Sequence, residues 1–86
     1  MEVWVVTFYE EMTQLVFESR IDAYRKCWEY LKAARADAET EGKDDFWWTA
    51  RMRDLDDDYF ATEDCDFEVE DILVARRCTM FKRGEF

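Results

Sequence analysis

The carboxylates between Asp54 and Asp71 restrict how this chain can fold. This stretch holds ten Asp or Glu residues in eighteen positions and contains no Lys or Arg. Because an ionised carboxylate is costly to bury without a partner, these side chains have to lie at the surface and apolar residues have to supply the core. With 49% apolar and 17% aromatic residues, the chain has enough apolar material for one folded domain over residues 1–86.

Charge is distributed unevenly along the sequence. Residues 37–71 hold fifteen acidic and three basic side chains, residues 1–36 hold six and five, and residues 72–86 hold one and four, which gives the net charge of −10. This one-sided negative field disfavours contact with nucleic acid or an anionic membrane and favours basic partners. The last ten residues, 77–86, are predicted to form a basic tail.

Cysteine usage and the N-terminal residues predict the compartment. Cys27, Cys65 and Cys78 form no C-x-x-C pair and the sequence contains no His, which excludes zinc-finger and haem-attachment spacings. An odd number of cysteines indicates reduced thiols. Since the N-terminal residues show neither a signal peptide nor a membrane span, we expect the protein to lie in the cytosol of a bacterial host.

Period-two alternation predicts a β-hairpin in residues 1–18. The first strand, VWVVTFY, places Trp4, Val6 and Phe8 on one face, and β-branched and aromatic residues fill both of its faces. A second run, TQLVFE, alternates in the same way after a short polar link. The two runs are therefore predicted to be antiparallel neighbours.

A helix is predicted over residues 19–41. Ser19 is a favourable N-cap, and Asp22 follows three positions later as in a capping box. Gly42 can end the helix in the left-handed conformation. Apolar residues at three- and four-residue spacing form the predicted buried stripe, namely Tyr24, Cys27, Trp28, Leu31, Ala34 and Ala38.

The second half of the chain is predicted to contain two further strands. Residues 46–53 alternate between an apolar and a mixed face, and a fourth strand is predicted over 67–76, where FEVEDILVARR could also form a short helix. Residues 54–66 between them are predicted to form an acidic loop. The fold class is therefore α+β, an antiparallel sheet in the order β-β-α-β-β with the helix packed on one face. The aromatic residues expected in the core are Trp4, Phe8, Phe17, Trp28 and Phe46.

The opening of the chain resembles a pattern found in short phage and bacterial proteins. In this pattern a VVT-type strand, a second strand ending near VFES and a Ser-capped helix follow one another, and here it covers residues 3–32. The small size, reduced thiols and strong acidity are also similar to those of phage-encoded inhibitors that mimic nucleic acid, among them anti-CRISPR and anti-restriction proteins. The resemblance implies an architecture and a class of partner, and it transfers no site residues.

The sequence contains no complete motif for catalysis or for a cofactor. Asp54, Asp56 and Asp58 match the first three liganding positions of a calcium loop. The rest of that loop fails, because Tyr59 stands where Gly is needed and Cys65 where a bidentate Glu is needed. Without His to activate a serine or cysteine nucleophile, we expect a protein that is not an enzyme and needs no cofactor. Weak binding of a divalent cation by the acidic loop is the third-ranked hypothesis for this stretch.

Two hypotheses of different kinds explain the acidic stretch. In the first, the protein is a non-catalytic, phage-encoded inhibitor that occupies the nucleic-acid-binding site of a basic protein such as a CRISPR effector. In the second, it is an adaptor or homo-oligomeric module, with a homodimer as one form, that binds through exposed aromatic residues. The residues predicted to contact the partner are Asp54, Asp56, Asp57, Asp58, Tyr59, Phe60, Glu63, Asp64, Asp66, Glu68, Glu70 and Trp47.

Overall fold

The computed structural model describes residues 2–61 and 65–79, which form four strands and two helices in the order β-β-α-α-β-β. These elements are β1 (Glu2–Phe8), β2 (Thr13–Phe17), α1 (Arg20–Thr40), α2 (Phe46–Ala61), β3 (Phe67–Val69) and β4 (Leu73–Thr79). The strands form one antiparallel sheet in the order β2-β1-β4-β3. The predicted α+β class with an antiparallel sheet is confirmed, and the second helix corrects the predicted element order.

The core lies between one face of the sheet and the two helices. Alternation along β1 directs Trp4, Val6 and Phe8 to this face, and all three are buried. The strand register places Ala75 opposite Val6 and Leu73 opposite Phe8 on the same face. The helices complete the core with Ala23, Cys27, Leu31, Met52 and Leu55. The hairpin predicted at the start of the chain is therefore confirmed as β1 and β2.

Local signals define both ends of α1. The Ser19 side chain accepts a hydrogen bond from the Asp22 N–H at 3.2 Å, as the capping pattern predicts. At the other end Gly42 adopts a φ of +75°, and the Lys43 N–H donates to the Ala38 carbonyl at 2.9 Å. This arrangement is a Schellman motif, which satisfies carbonyls that the end of a helix leaves free. The helix predicted after Ser19 is confirmed.

The strand predicted over residues 46–53 is wrong, because these residues form the first half of α2. The apolar residues on the core-facing side of α2 follow spacings of four, three and four: Trp48, Met52, Leu55 and Tyr59. Period-two alternation also fits residues 46–53, but the helical spacing continues into the acidic residues that follow. Packing of this longer apolar stripe against the core determines the conformation.

The acidic loop predicted over residues 54–66 is wrong for its first eight residues, which belong to α2. The single strand predicted over residues 67–76 is also corrected, because the chain folds back there as two strands, β3 and β4. Asp71 in the turn adopts a φ of +58°, a conformation that Asp tolerates better than most residues. The Ile72 N–H donates to the Val69 carbonyl at 3.0 Å and closes the turn.

Aromatic burial differs from the prediction at one position. Trp4 and Phe8 are buried, and Phe17 and Trp28 are partly buried against the core, as predicted. Phe46 instead begins α2 with 73% of its surface exposed. The change from strand to helix accounts for this difference, since the helix directs Trp48 and Met52 inward instead.

Two further predictions concern a basic C-terminal tail and the absence of a membrane span. Of the predicted basic tail 77–86, the first three residues belong to β4 and the others lie outside the described residues. Within residues 2–61 and 65–79, neither α1 nor α2 is long and apolar enough to cross a membrane.

Candidate functional site

The C-terminal half of α2 and the β3–β4 hairpin flank an open groove of about 910 Å³. Its lining residues are Tyr9, Asp54, Asp57, Asp58, Glu68, Glu70 and Asp71, and we name it the acidic groove. Six of these seven residues are carboxylates, and none is Lys or Arg. The fold therefore brings two separate parts of the acidic sequence stretch to one surface.

α2 supplies three of the groove carboxylates from one side of the helix. Residues three or four positions apart lie next to one another on a helix, about 5–6 Å apart between Cβ atoms, and Asp54 stands at these spacings from Asp57 and Asp58. Nε of Arg51 lies 3.0 Å from Oδ2 of Asp54, although the approach lacks the direction of a hydrogen bond. Asp57 is exposed and makes no ion pair within residues 2–61 and 65–79.

Asp58 joins α2 to the edge of the sheet. Its Oδ2 accepts a hydrogen bond from the Glu68 N–H at 2.8 Å. Because β3 is an edge strand, a backbone donor on its outer side needs a partner other than a neighbouring strand. Asp58 therefore stabilises the wall of the groove as well as contributing charge to it.

The β3–β4 hairpin supplies the other three carboxylates. Glu68 lies on β3, while Glu70 and Asp71 lie in the turn. The Tyr9 N–H donates to the Ile72 carbonyl at 3.0 Å, which holds the turn against the end of β1. This contact also brings Tyr9 into the lining of the groove.

The charge at the C-terminal end of α2 acts against folding. The end of a helix carries a partial negative charge, and α2 has no basic residue in its last turn. Asp57 lies one residue before this last turn, so its charge costs at most about 0.3 kcal/mol where a basic side chain would slightly stabilise the helix.

Asp56, another predicted contact residue, faces α1 and lies outside the acidic groove. Its Oδ1 accepts a hydrogen bond from the Tyr24 hydroxyl at 2.6 Å. Burial and this hydrogen bond raise the pKa of Tyr24 to about 12. The carboxylate thus takes part in helix packing.

The predicted aromatic contacts Tyr59 and Phe60 also lie on the side of α2 that faces α1. Tyr59 stacks on Tyr24 with ring centroids 4.1 Å apart, and the Arg20 guanidinium lies 4.3 Å from the centroid of the Tyr59 ring. Arg20 donates to the carbonyls of Tyr59 and Cys65 at 3.0 and 3.1 Å. Phe60 meets Tyr24 edge-on and remains 71% exposed.

Trp47 borders a second concavity, which adjoins the acidic groove. This concavity has a volume of about 460 Å³, and Glu70 and Asp71 line both. Trp47 is 49% exposed, and Cζ of Arg51 lies 5.2 Å from the centroid of its ring. An accessible indole ring therefore lies close to the groove carboxylates.

The remaining predicted contact residues have other positions. Asp66 lies at the other side of Asp58, in a shallow concavity that Glu68 also lines, and its Oδ1 accepts a hydrogen bond from the Arg77 N–H at 3.0 Å. Glu63 and Asp64 lie outside the described residues.

The calcium-loop hypothesis is not supported by the conformation of its residues. Asp54, Asp56 and Asp58 lie on a helix, so they cannot wrap around an ion as the loop would require. Asp56 also points away from the other two. Within residues 2–61 and 65–79, no group of three acidic or cysteine side chains is placed to hold a metal ion.

Three residues around the groove were not among the predicted contacts. Asp71 belongs to the acidic stretch and could have been included on charge alone. Tyr9 and Arg51 had no comparable signal, because the sheet brings Tyr9 into the groove lining and helical spacing brings Arg51, which lies outside that lining, to Asp54.

Comparison with known proteins adds no family to these observations. No protein-family model, curated protein sequence or solved structure matches this chain. The chemistry of the groove itself therefore has to indicate the partner. Ionised carboxylates only accept hydrogen bonds, and a concave cluster of them suits Lys and Arg side chains.

Proposed function

We propose that this protein is a non-catalytic inhibitor whose acidic groove occupies the nucleic-acid-binding site of a basic protein. The observation that carries the proposal is the gathering of six carboxylates around one groove that no Lys or Arg of residues 2–61 and 65–79 lines. The likeness in size and acidity to phage-encoded inhibitors suggests CRISPR effectors and restriction enzymes as the first partners to test.

The charge pattern of the groove supports competition with nucleic acid. Nucleic-acid-binding sites present Lys and Arg to phosphates, and a duplex offers them one negative charge per about 1.7 Å of axis. The carboxylates of α2 and the hairpin present clustered negative charge to the same cations, and an Arg can bind a carboxylate through two parallel hydrogen bonds. Long-range attraction would make association fast and sensitive to salt.

Trp47 supports a protein as the partner. Charge attraction between exposed groups contributes little affinity by itself, whereas buried aromatic residues often dominate the energy of a protein interface. The exposed Trp47 ring lies beside the groove and could be buried in the same contact. Trp47, one of the aromatic residues of the adaptor hypothesis, thus has a role within the inhibitor hypothesis.

A pair of charge reversals tests the groove without breaking the fold. Asp57→Lys with Glu70→Lys changes two exposed groove residues whose side chains make no hydrogen bond or ion pair within residues 2–61 and 65–79. Glu29→Lys with Asp37→Lys, on the exposed surface of α1, is the matched control, since both double variants add the same charge.

The measurement is capture of bacterial nucleic-acid-binding proteins on the immobilised protein, followed by elution with duplex DNA, structured RNA or salt. We expect nucleic acid to release the captured partner, the groove variant to capture less than about a tenth of it, and the α1 variant to match the wild type. Capture that nucleic acid does not reverse, or that the groove variant retains, would contradict the proposal.

A further inference from the structure

The two edges of the sheet are protected differently. At one edge, α2 packs beside β3, and Asp58 accepts a hydrogen bond from the Glu68 N–H. At the other edge, β2 pairs with no described strand except β1. Within residues 2–61 and 65–79, no backbone hydrogen bond links β2 to any element beyond this pairing. The outer side of β2 therefore offers unused donors and acceptors to another strand.

The sequence of β2 does not discourage such pairing. Its five residues, TQLVF, include no charged residue and no Pro, which are the features that proteins commonly use to keep an edge strand single. Val16 is 56% exposed, and Met12 in the preceding turn is 90% exposed. The strand itself is thus uncharged and has accessible apolar side chains, while Glu11 and Glu18 lie just beyond its two ends.

We infer that β2 pairs antiparallel with β2 of a second copy of this chain, across a two-fold axis at Leu15. In this register Leu15 lies opposite Leu15 of the second copy, and Gln14 lies opposite Val16. No like charges face each other within the strand. The register beyond it places Glu18 opposite Met12, which also avoids a pair of like charges.

The position of the net charge favours a second copy as the occupant. β2 and β3 are the opposite edges of the sheet, so the acidic groove lies three strand spacings, about 14 Å, from the free edge. In the eight-stranded sheet of the dimer, the two β3 strands would be about 34 Å apart, roughly four Debye lengths at physiological salt. Repulsion between the two acidic surfaces is therefore largely screened.

The dimer has a consequence that does not depend on the identity of the partner. It presents two acidic grooves at opposite ends of one continuous sheet. A target with two basic sites at a suitable distance would bind both, and the second contact would form within the same complex. The inference concerns β2 and goes beyond the function proposed for the groove.

Charge changes at Gln14 and Val16 test the pairing and its register together. Gln14→Lys with Val16→Lys creates two pairs of opposed lysines across the axis, whereas Gln14→Glu with Val16→Glu creates two pairs of opposed carboxylates. Both side chains are exposed, so the monomer fold should tolerate the changes. A mixture of the two variants pairs each Lys with a Glu.

Sedimentation equilibrium over a range of protein concentrations gives the mass. We expect the wild type to reach twice the 10.5 kDa of one chain and each variant alone to weaken the dimer at least about tenfold. We also expect the mixture to restore the dimer. Circular dichroism checks that each variant is folded.

Other results would overturn the inference. The inference is wrong if the wild type stays monomeric up to about 1 mM or if the lysine variant does not weaken the dimer. It is also wrong if the mixture of folded variants does not pair. The salt dependence distinguishes this inference from the proposed function. Added salt screens the repulsion between two acidic chains and should strengthen the dimer, whereas it screens the attraction of a basic partner and should weaken binding at the groove.

Discussion

The two sides of α2 pair their polar groups in different ways. On the side facing α1, Asp56 accepts a hydrogen bond from Tyr24, and Arg20 donates to the Tyr59 carbonyl. On the groove side, Asp58 accepts a hydrogen bond from the Glu68 N–H, whereas Asp57 has no partner among the described residues. One helix therefore carries acidic residues that serve the fold and acidic residues that do not.

This difference separates two meanings of a dense acidic sequence. Carboxylates that pair with neighbouring groups stabilise helix packing, whereas an unpaired one near the C-terminal end of a helix slightly lowers the stability and calls for an explanation other than the fold. Binding of a basic partner is such an explanation, because the partner would supply the missing positive charge. Substitutions on the two sides of α2 should therefore change the free energy of unfolding by different amounts.

The largest effect is expected from Arg20→Ala, at the first residue of α1, where the side chain contacts the α1-facing side of α2. The substitution removes two hydrogen bonds to backbone carbonyls and the contact with the Tyr59 ring, and should lower the free energy of unfolding by about 3 kcal/mol. Urea denaturation followed by Trp fluorescence measures it. Arg25→Ala is the control. Arg25 is exposed and its ion pair with Asp22 is long, at 3.9 Å, so the substitution should change the free energy of unfolding by less than about 0.5 kcal/mol. Similar losses in both variants would contradict the role given to Arg20.

An intermediate effect is expected from Tyr24→Phe. The variant keeps the stacked ring but loses the hydrogen bond to the Asp56 carboxylate, and should be less stable by about 1–2 kcal/mol near pH 7. The same urea experiment measures this difference. An unchanged free energy of unfolding would mean that the hydrogen bond between Tyr24 and Asp56 does not stabilise the fold.

The same variant has a defined pH dependence. The pKa of Tyr24 is raised from 10.0 to about 12, so the folded state keeps a proton that the unfolded state loses in this range. The stability from this group is complete below pH 10 and decreases as the pH rises towards 12. The difference between wild type and Tyr24→Phe should therefore narrow above pH 10. The variant keeps some alkaline sensitivity, because burial also raises the pKa of Cys27 to about 12.

The smallest effect, of opposite sign, is expected from Asp57→Lys on the groove side. Replacing a negative by a positive charge one residue before the last turn of α2 should increase the free energy of unfolding by about 0.3–0.5 kcal/mol. Asp58→Ala is the contrasting variant and should lose about 1 kcal/mol, because the Glu68 N–H loses its acceptor. A loss of stability in Asp57→Lys would show that Asp57 also serves the fold.

Sequence patterns predicted the parts of the fold that depend on near neighbours. Ser19 and Gly42 begin and end α1 through bonds within a few residues, so their roles could be identified from spacing alone. Alternation in β1 predicted its buried face correctly. Residues 46–53 were misassigned because eight residues can satisfy both periods, and Phe46 was placed in the core for the same reason.

The candidate site was predictable in composition but not in arrangement. Charge counting identified Asp54, Asp57, Asp58, Glu68 and Glu70, which do line the groove. It could not distinguish Asp56, which the helix turns towards α1, from Asp57 beside it. Tyr9 joins the groove only because the sheet brings the end of β1 next to the β3–β4 turn.

By itself, the sequence determined that this chain has an α+β fold, a capped first helix and a concentration of negative charge on residues 37–71. These properties follow from local hydrogen bonding, side-chain periodicity and formal charge. The tertiary structure decided that the acidic stretch splits between α2 and the hairpin, that six carboxylates share one groove, and that β2 forms the opposite edge of the sheet. The physical reason is that strand order and helix rotation depend on which apolar residues pack together across the chain, and local patterns do not specify those contacts.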